Sequence, residues 1–173
     1  VGEALLGVSA ERDLPPFARE TFPQWARKQN GTLSAPRGDG APGPQVALFP
    51  DAFNAYHTPA PLQAAARVLG ATGHRVELPP ESVGSGRTLL SKGMVPQAQR
   101  QALRTVEALY PYAEEGIPVV GLEPSSILTL RDEFLDLLPG EPRAEAVADV
   151  AYTFAEYMAE RADAGALDDA VWQ

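Results

Sequence analysis

The sequence predicts an α/β domain with Rossmann-like layering, in which a short parallel sheet is flanked by helices and preceded by an N-terminal docking arm. Short apolar or alternating runs at 46–49, 74–78 and 117–122 have the length and composition of strands. Segments with apolar residues at helical spacing follow each of these runs. Because the first two runs enclose one such helix, they favour a crossover between parallel strands.

The helices are predicted from their capping and breaking residues. Thr58 is expected to cap the helix after the first strand, and Ser125 or Ser126 to cap the helix after the third. Gly116 is expected to end the long helix between the second and third strands. The predicted helices cover 20–28, 59–70 or 59–73, 96–115, 125–138 and 142–164.

The chain is predicted to divide at residue 44. Residues 1–44 are expected to form an arm and a linker, because 31–44 is rich in Gly, Pro, Ser and Ala. Residues 45–173 are expected to form the α/β domain. The arm helix exposes Phe22 and Trp25 on one side, which predicts docking onto this domain or onto a neighbouring one.

Composition limits the classes of partner. The chain has 173 residues with a net charge of −9, so its acidic surface is expected to repel both nucleic acid and anionic membranes. No apolar run approaches the ~20 residues that span a bilayer, so direct membrane insertion is not expected. The N-terminus shows no basic region followed by an apolar stretch, and the cytoplasm is the expected location.

Cysteine is absent from the whole chain. This excludes disulfides, a thiolate nucleophile and cysteine ligation of zinc or iron–sulfur clusters by this chain. The two histidines, His57 and His74, are too few and too far apart in sequence to form a recognisable metal motif.

Three loops follow the predicted strands, at 50–57, 82–93 and 123–126. The carboxyl ends of parallel strands meet at one edge of a sheet, where open α/β sheets usually place their sites. The convergence of these loops is the best indication of function that the residues alone provide.

The second loop contains a candidate anion-binding segment, formed by Gly84, Ser85, Gly86 and Arg87. Glycines let backbone N–H groups approach a ligand, and Arg87 supplies positive charge. The spacing is not that of a Walker loop. The alternative interpretation is a turn that packs closely against its neighbours.

Ser85 and Ser126 are candidate nucleophiles only if a base lies nearby, and His57 is the histidine expected to reach them. The sequence around Ser85 is not a Gly-x-Ser-x-Gly elbow, and no third member of a triad is apparent. Hydrolysis is therefore a weak hypothesis.

Four carboxylates near the loops are candidates for acid–base chemistry or hard-metal ligation: Asp51, Glu123, Asp132 and Glu133. For Asp132 and Glu133, a favourable charge at the start of a helix is the simpler account. Glu123 is of more interest because it directly follows a buried strand. His74 begins a predicted strand and is expected at the surface or rim.

Taken together, the loops resemble the cysteine-rich (CCG) domain of glycolate oxidase iron–sulfur subunits and of fused FAD/iron–sulfur dehydrogenases. The resemblance is carried by LFPDAFN at 48–54, GRTLLSKG at 86–93, GLEPSS at 121–126 and LRDE at 130–133. The arm sequences LPPF at 14–17 and TF at 21–22 also resemble the connector before that domain, so almost the whole chain is covered.

The family's second motif usually begins Cys-Cys-Gly-Arg, and its third ends Glu-Pro-Ser-Cys. Here the cysteine positions hold Gly84, Ser85 and Ser126. The resemblance implies that Ser85 and Ser126 stand where sulfur ligands of an iron–sulfur centre would lie. A serine hydroxyl is a hard donor with a high pKa and does not generally replace a thiolate in a cluster.

The resemblance implies a cofactor-binding region formed by Gly84, Ser85, Gly86, Arg87, Glu123 and Ser126. It also implies a parent enzyme that transfers electrons from a 2-hydroxy acid such as glycolate or lactate through FAD and iron–sulfur clusters. The expected partners are flavin and ferredoxin-type domains or subunits. This chain is expected to be a fragment that carries no cofactor itself and is inactive alone.

Two other classes of function remain open from the sequence. The first is a non-catalytic scaffold that docks partner domains through the arm and the strand-end loops. The second is a small anion-binding α/β module that uses the glycine-rich segment.

Overall fold

A computed structural model of the chain describes residues 15–29, 43–80 and 83–167. The described part contains four strands, β1 to β4, and nine α-helices, α1 to α9, with one 3₁₀ turn between α6 and α7. The strands are β1 Gln45–Phe49, β2 Arg75–Glu77, β3 Val119–Gly121 and β4 Ala151–Thr153. The helices are α1 Phe22–Lys28, α2 Ala52–Tyr56, α3 Ala60–Ala71, α4 Arg87–Ser91, α5 Val95–Glu114, α6 Pro124–Ile127, α7 Glu133–Leu137, α8 Pro142–Asp149 and α9 Phe154–Asp163.

The four strands form one parallel sheet in the order β2-β1-β3-β4. Val46 pairs with Val76 on one side of β1, and Leu48 pairs with Val120 on the other. Val120 also pairs with Tyr152 of β4. The predicted α/β class with a parallel sheet is therefore confirmed.

Alternate residues of β1 point to opposite faces of the sheet, as the pleat requires. Val46 and Leu48 belong to a buried cluster with α1, α3 and α9. Ala47 and Phe49 belong to a second buried cluster with α5, α6, α7 and α8. Because both faces are covered by helices, β1 is a continuous apolar run rather than an alternating one.

The arm helix α1 docks onto this domain. A capping box fixes its start, in which the Thr21 hydroxyl accepts from the Gln24 backbone and the Gln24 side chain accepts from the Thr21 backbone. Phe22 is fully buried in the cluster with α3. Trp25 stacks on Phe22 at a ring distance of 5.6 Å. The aromatic side of the arm helix, which the sequence predicts to dock onto this domain or onto a neighbouring one, therefore packs against this domain.

The predicted helix over 142–164 was wrong, because the chain forms α8, then β4, then α9 there. Val147 of α8 lies in the cluster with α5, whereas Tyr157 of α9 lies in the cluster on the other face of the sheet. One straight helix cannot present residues to both faces, so a strand crosses between them. A capping box of Thr153 and Glu156 starts α9 and is the local signal for this break.

Three other expectations need correction. The N-cap of α3 is Pro59 without a side-chain hydrogen bond, because the Thr58 hydroxyl donates to Asn54 at 3.3 Å. His74 is 1% exposed rather than at the rim, and it packs edge-on against Tyr157. The predicted helix over 125–138 is divided into α6, the 3₁₀ turn and α7.

The linker predicted at 31–44 lies mostly outside the described residues, as do Glu81 and Ser82 of the second loop. Within the described ranges, none of the helices has the length and apolar character needed to cross a membrane.

Candidate functional site

An open cleft of about 1580 Å³ lies at the edge of the sheet where β1, β2 and β3 end. The structure brings together there the three loops that were expected to meet. Residues within 50–57, 83–89 and 123–126 supply most of the lining, and residues 76–80 together with residues of α1 and α5 supply the rest. The arm is therefore one wall of the cleft.

Ser85 and Ser126 meet in this cleft although they are 41 residues apart in the chain. The Ser85 hydroxyl donates to the Ser126 hydroxyl across 3.4 Å. Two sulfur ligands of one tetrahedral metal, each at about 2.3 Å from it, would lie about 3.8 Å apart. The two hydroxyls therefore have nearly the spacing of paired ligands on a single metal ion.

A buried threonine on α5 holds the glycine-rich loop. The Thr105 hydroxyl accepts from the Gly84 backbone N–H at 3.0 Å and donates to the Gly84 carbonyl at 2.9 Å. The Gln101 side-chain amide donates to the same hydroxyl at 3.1 Å, and the Arg104 guanidinium donates to the side-chain amide oxygen of Gln101 at 2.8 Å. Sequence analysis missed these residues, since a polar stripe on an amphipathic helix is indistinguishable from a solvated face until the loop is placed against it.

Two glycines are required by the backbone at the site. Gly86 has φ of 67° and is the residue before α4, a conformation that side-chain-bearing residues rarely adopt. Gly121 ends β3, and a Cβ added there would lie 2.7 Å from Cβ of Ile127. The absence of a side chain at Gly121 thus lets α6 pack directly against the strand that delivers Glu123 and Ser126.

Glu123 is the N-cap of α6, the role that the sequence assigned to Ser125 or Ser126. Its carboxylate accepts from the Ser126 backbone N–H at 2.7 Å and from the Ser125 hydroxyl at 2.6 Å. Burial alone raises the pKa of Glu123, but the hydrogen bonds donated by both serines outweigh it, so the pKa lies below its usual value. Glu123 is therefore a structural anion at neutral pH, and its oxygens are occupied within the chain.

Glu123→Gln is expected to lower the free energy of unfolding by about 1 kcal/mol at neutral pH, because an amide nitrogen cannot accept the capping hydrogen bonds. The folded-state pKa is depressed, so this stabilisation is present above the unfolded-state pKa and is lost as the pH falls through the folded-state pKa. Urea denaturation over a range of acidic pH values measures the effect, with Glu107→Gln on the exposed face of α5 as the control. A difference between variant and parent that stays constant down to the lowest pH would contradict this assignment.

Among the remaining candidate carboxylates, Asp51 and Glu133 have side-chain partners. Asp51 caps α2 by accepting from the Asn54 backbone at 2.9 Å, and it accepts from the Asn54 amide at 2.8 Å. Glu133 forms an ion pair with the Arg87 guanidinium. Arg87 thus links the glycine-rich loop to the start of α7. Asp132 is the N-cap of α7 without a side-chain hydrogen bond.

His57 lines the cleft but is engaged by the arm. Its Nδ1 lies 2.9 Å from the Pro16 carbonyl, and its ring stacks between Phe17 and Phe53 at ring distances of 4.8 and 5.3 Å. No hydrogen bond between His57 and either serine is present in the described residues. The structure therefore does not assemble a Ser-His nucleophile pair.

The donors of the cleft do not fit an iron–sulfur cluster. Ser85 and Ser126 offer two hard hydroxyl oxygens, and the chain has no thiolate to add. Residues 15–29, 43–80 and 83–167 contain no group of three or more acidic, histidine or cysteine side chains arranged to hold a metal. Within the described residues, the cleft therefore offers two neighbouring hydroxyl oxygens and no soft ligand.

Comparison with known proteins identifies several dehydrogenases. The chain is 29% identical over 137 residues to a subunit of the anaerobic glycerol-3-phosphate dehydrogenase of Escherichia coli (strain K12), and the match covers 79% of the chain. It is 34% identical over 89 residues to D-2-hydroxyglutarate dehydrogenase of Pseudomonas putida, covering 51% of the chain. It is 29% identical over 101 residues to the enzyme of the same name from Pantoea ananatis (strain AJ13355), covering 58% of the chain.

The matched segments are a minor part of these relatives. They span 33% of the glycerol-3-phosphate dehydrogenase subunit and 9% and 10% of the two D-2-hydroxyglutarate dehydrogenases. No protein-family model matches the chain, and no solved structure matches it significantly. The relatives are oxidoreductases, which is consistent with the resemblance to a cysteine-rich domain of FAD/iron–sulfur dehydrogenases.

Proposed function

We propose that this chain is a cysteine-rich-type domain of an FAD- and iron–sulfur-dependent dehydrogenase, in which serines occupy ligand positions. The observation that carries the proposal is the 3.4 Å approach of the Ser85 and Ser126 hydroxyls, because these are the positions that the family motifs assign to sulfur. The strand order β2-β1-β3-β4 supports the Rossmann-like layering of such a domain. The names of the relatives support an oxidoreductase, and one of them denotes a subunit.

The proposed parent reaction is oxidation of a 2-hydroxy acid such as glycolate, lactate or 2-hydroxyglutarate. In this proposal the flavin of a partner domain or subunit accepts the hydride equivalent, and ferredoxin-type clusters pass on single electrons. The domain described here supplies no redox group. Its proposed role is to bind those partners in the cytoplasm and to maintain the conformation of the strand-end cleft.

The proposal is tested on the complete polypeptide encoded around this segment, purified together with any subunits that copurify with it. Absorbance spectra and elemental analysis measure flavin and iron, and reduction of an artificial electron acceptor measures oxidation of each 2-hydroxy acid. Bound flavin with activity on a 2-hydroxy acid is the expected result. A purified assembly that contains neither flavin nor iron and oxidises none of these substrates would overturn the proposal.

One observation favours a second candidate function, a non-catalytic docking scaffold. The cleft has a hydrogen-bonded framework that includes the buried Thr105 and the partly buried Glu123, while the chain has no cysteine. A scaffold needs only that framework. Copurification with partner domains that hold no flavin would favour the scaffold over the dehydrogenase.

A further inference from the structure

We infer that the strand-end cleft binds a small organic carboxylate, held by the guanidinium of Arg104 and the hydroxyl of Ser126. This inference goes beyond the proposed function, since it concerns binding by this chain alone. It does not require that the chain belongs to a dehydrogenase.

The carboxylates that line the cleft already have hydrogen-bond or ion-pair partners within the chain. The Asp51 carboxylate accepts from the Asn54 backbone and side chain. Glu123 accepts from both residues that follow Pro124. Glu77 lies 3.4 Å from the Arg75 guanidinium. A cationic ligand would therefore have to displace existing partners from every one of these carboxylates.

The two arginines Arg87 and Arg104, which also line the cleft, differ in whether a carboxylate pairs with them. Arg87 is neutralised by Glu133, but Arg104 donates only to the neutral amide oxygen of Gln101. Arg104 is exposed and lines the cleft, and no carboxylate of the described residues forms an ion pair with it. Its guanidinium thus carries a full positive charge with several N–H groups open to a ligand.

A second open donor lies among the converging loops. The Ser126 oxygen accepts a hydrogen bond from the Ser85 hydroxyl, and the described part of the chain provides no acceptor for the hydroxyl proton of Ser126. Ser126 is half-buried, so a ligand that accepts from it would be partly shielded from water. An acceptor-rich, negatively charged ligand satisfies both donors, whereas a neutral or cationic ligand does not.

Carboxylate is favoured over phosphate for two reasons. A planar carboxylate matches the planar fork of a single guanidinium. Phosphate is usually cradled by several backbone N–H groups, but those of Ser125 and Ser126 already donate to Glu123 and that of Arg87 donates to Ser85. Three of the backbone N–H groups at this edge are therefore not available to phosphate oxygens.

The test is an amide NMR titration of the isotope-labelled chain with sodium glycolate and with sodium D-2-hydroxyglutarate, referenced to sodium chloride at the same ionic strength. Sodium phosphate is titrated in parallel. We expect saturable shifts at residues 84–87, 104 and 126 with at least one carboxylate. Arg104→Gln is expected to weaken that binding about tenfold or more, because it removes a charge-assisted hydrogen bond. Arg100→Gln, at an exposed position on the same helix and outside the cleft, is expected to leave it unchanged.

The inference fails if no carboxylate gives saturable shifts beyond those of chloride. It also fails if Arg100→Gln weakens binding as much as Arg104→Gln does, since the effect would then be one of net charge. Phosphate binding equal to or tighter than carboxylate binding would overturn the assignment of the ligand class.

Discussion

The double variant S85C/S126C is expected to bind Cd²⁺ or Zn²⁺ with a Kd of about 1 μM, corresponding to about 8 kcal/mol, and more tightly than the parent chain does. The reason is geometric and chemical. The two hydroxyls lie 3.4 Å apart, close to the separation of two ligands on one tetrahedral ion. Cysteine replaces these hard oxygens with the soft thiolates that such ions prefer.

The measurement is a Cd²⁺ titration in a thiol-free reducing buffer, followed by the ultraviolet charge-transfer absorption of cadmium thiolates. The matched control is S91C/S125C, which has the same number of thiols at serines that bond instead to Thr88 and Glu123. Each single variant, S85C and S126C, is expected to bind far more weakly than the pair. Equal affinity in S91C/S125C would show that Ser85 and Ser126 are not a preformed pair.

Phe22→Ala is expected to lower the free energy of unfolding by about 3–5 kcal/mol, the usual cost of deleting a fully buried phenyl ring. Phe22 has no exposed surface and packs in the cluster with β1 and α3. Because α1 also lines the cleft, the same variant is expected to loosen that wall. Chemical denaturation followed by circular dichroism measures the stability.

Phe17→Ala is the matched control for this variant, because Phe17 lies on the same arm but is 74% exposed. Its only described ring contact is with His57, so the expected loss is about 1 kcal/mol or less. If both variants were destabilised equally, the arm would contribute through its chain connection rather than through the burial of Phe22.

The sequence was sufficient to predict those parts of the fold that depend on local patterns. The apolar run of β1, the long helix ended by Gly116 and the parallel pairing of β1 with β2 were all predictable in this way. Each depends on hydrophobic periodicity or on a breaker whose effect is confined to its neighbours.

The strand that escaped prediction was β4. The burial of β4 depends on its pairing with β3. The segment Ala151–Thr153 is too short to show the alternation of apolar and polar residues that marks a strand. The apolar residues of α8 and α9 on either side of β4 happen to lie at spacings that also fit one continuous helix. Only the capping box at Thr153 and Glu156 marked the break locally.

The position of the candidate site was predictable from the sequence, but the hydrogen bonds that hold its loops were only partly predictable. Loops at the carboxyl ends of parallel strands must converge, and this placed Ser85 and Ser126 at one edge. The anchoring of Gly84 by Thr105 was not predictable, because it joins a loop to a helix 21 residues away. The sequence also did not reveal that Glu123, which keeps an extended backbone after β3, caps α6 in place of its serine neighbours.

The contact between Ser85 and Ser126 closes a segment of 41 residues that includes all of α5. A covalent or metal link at that point would restrict the unfolded chain and stabilise the fold by about 4 kcal/mol. This chain has a single hydrogen bond between the two hydroxyls and contains no cysteine. No disulfide can close this segment, so its closure depends on that bond, on the hydrogen bonds between Thr105 and Gly84, and on packing of the core.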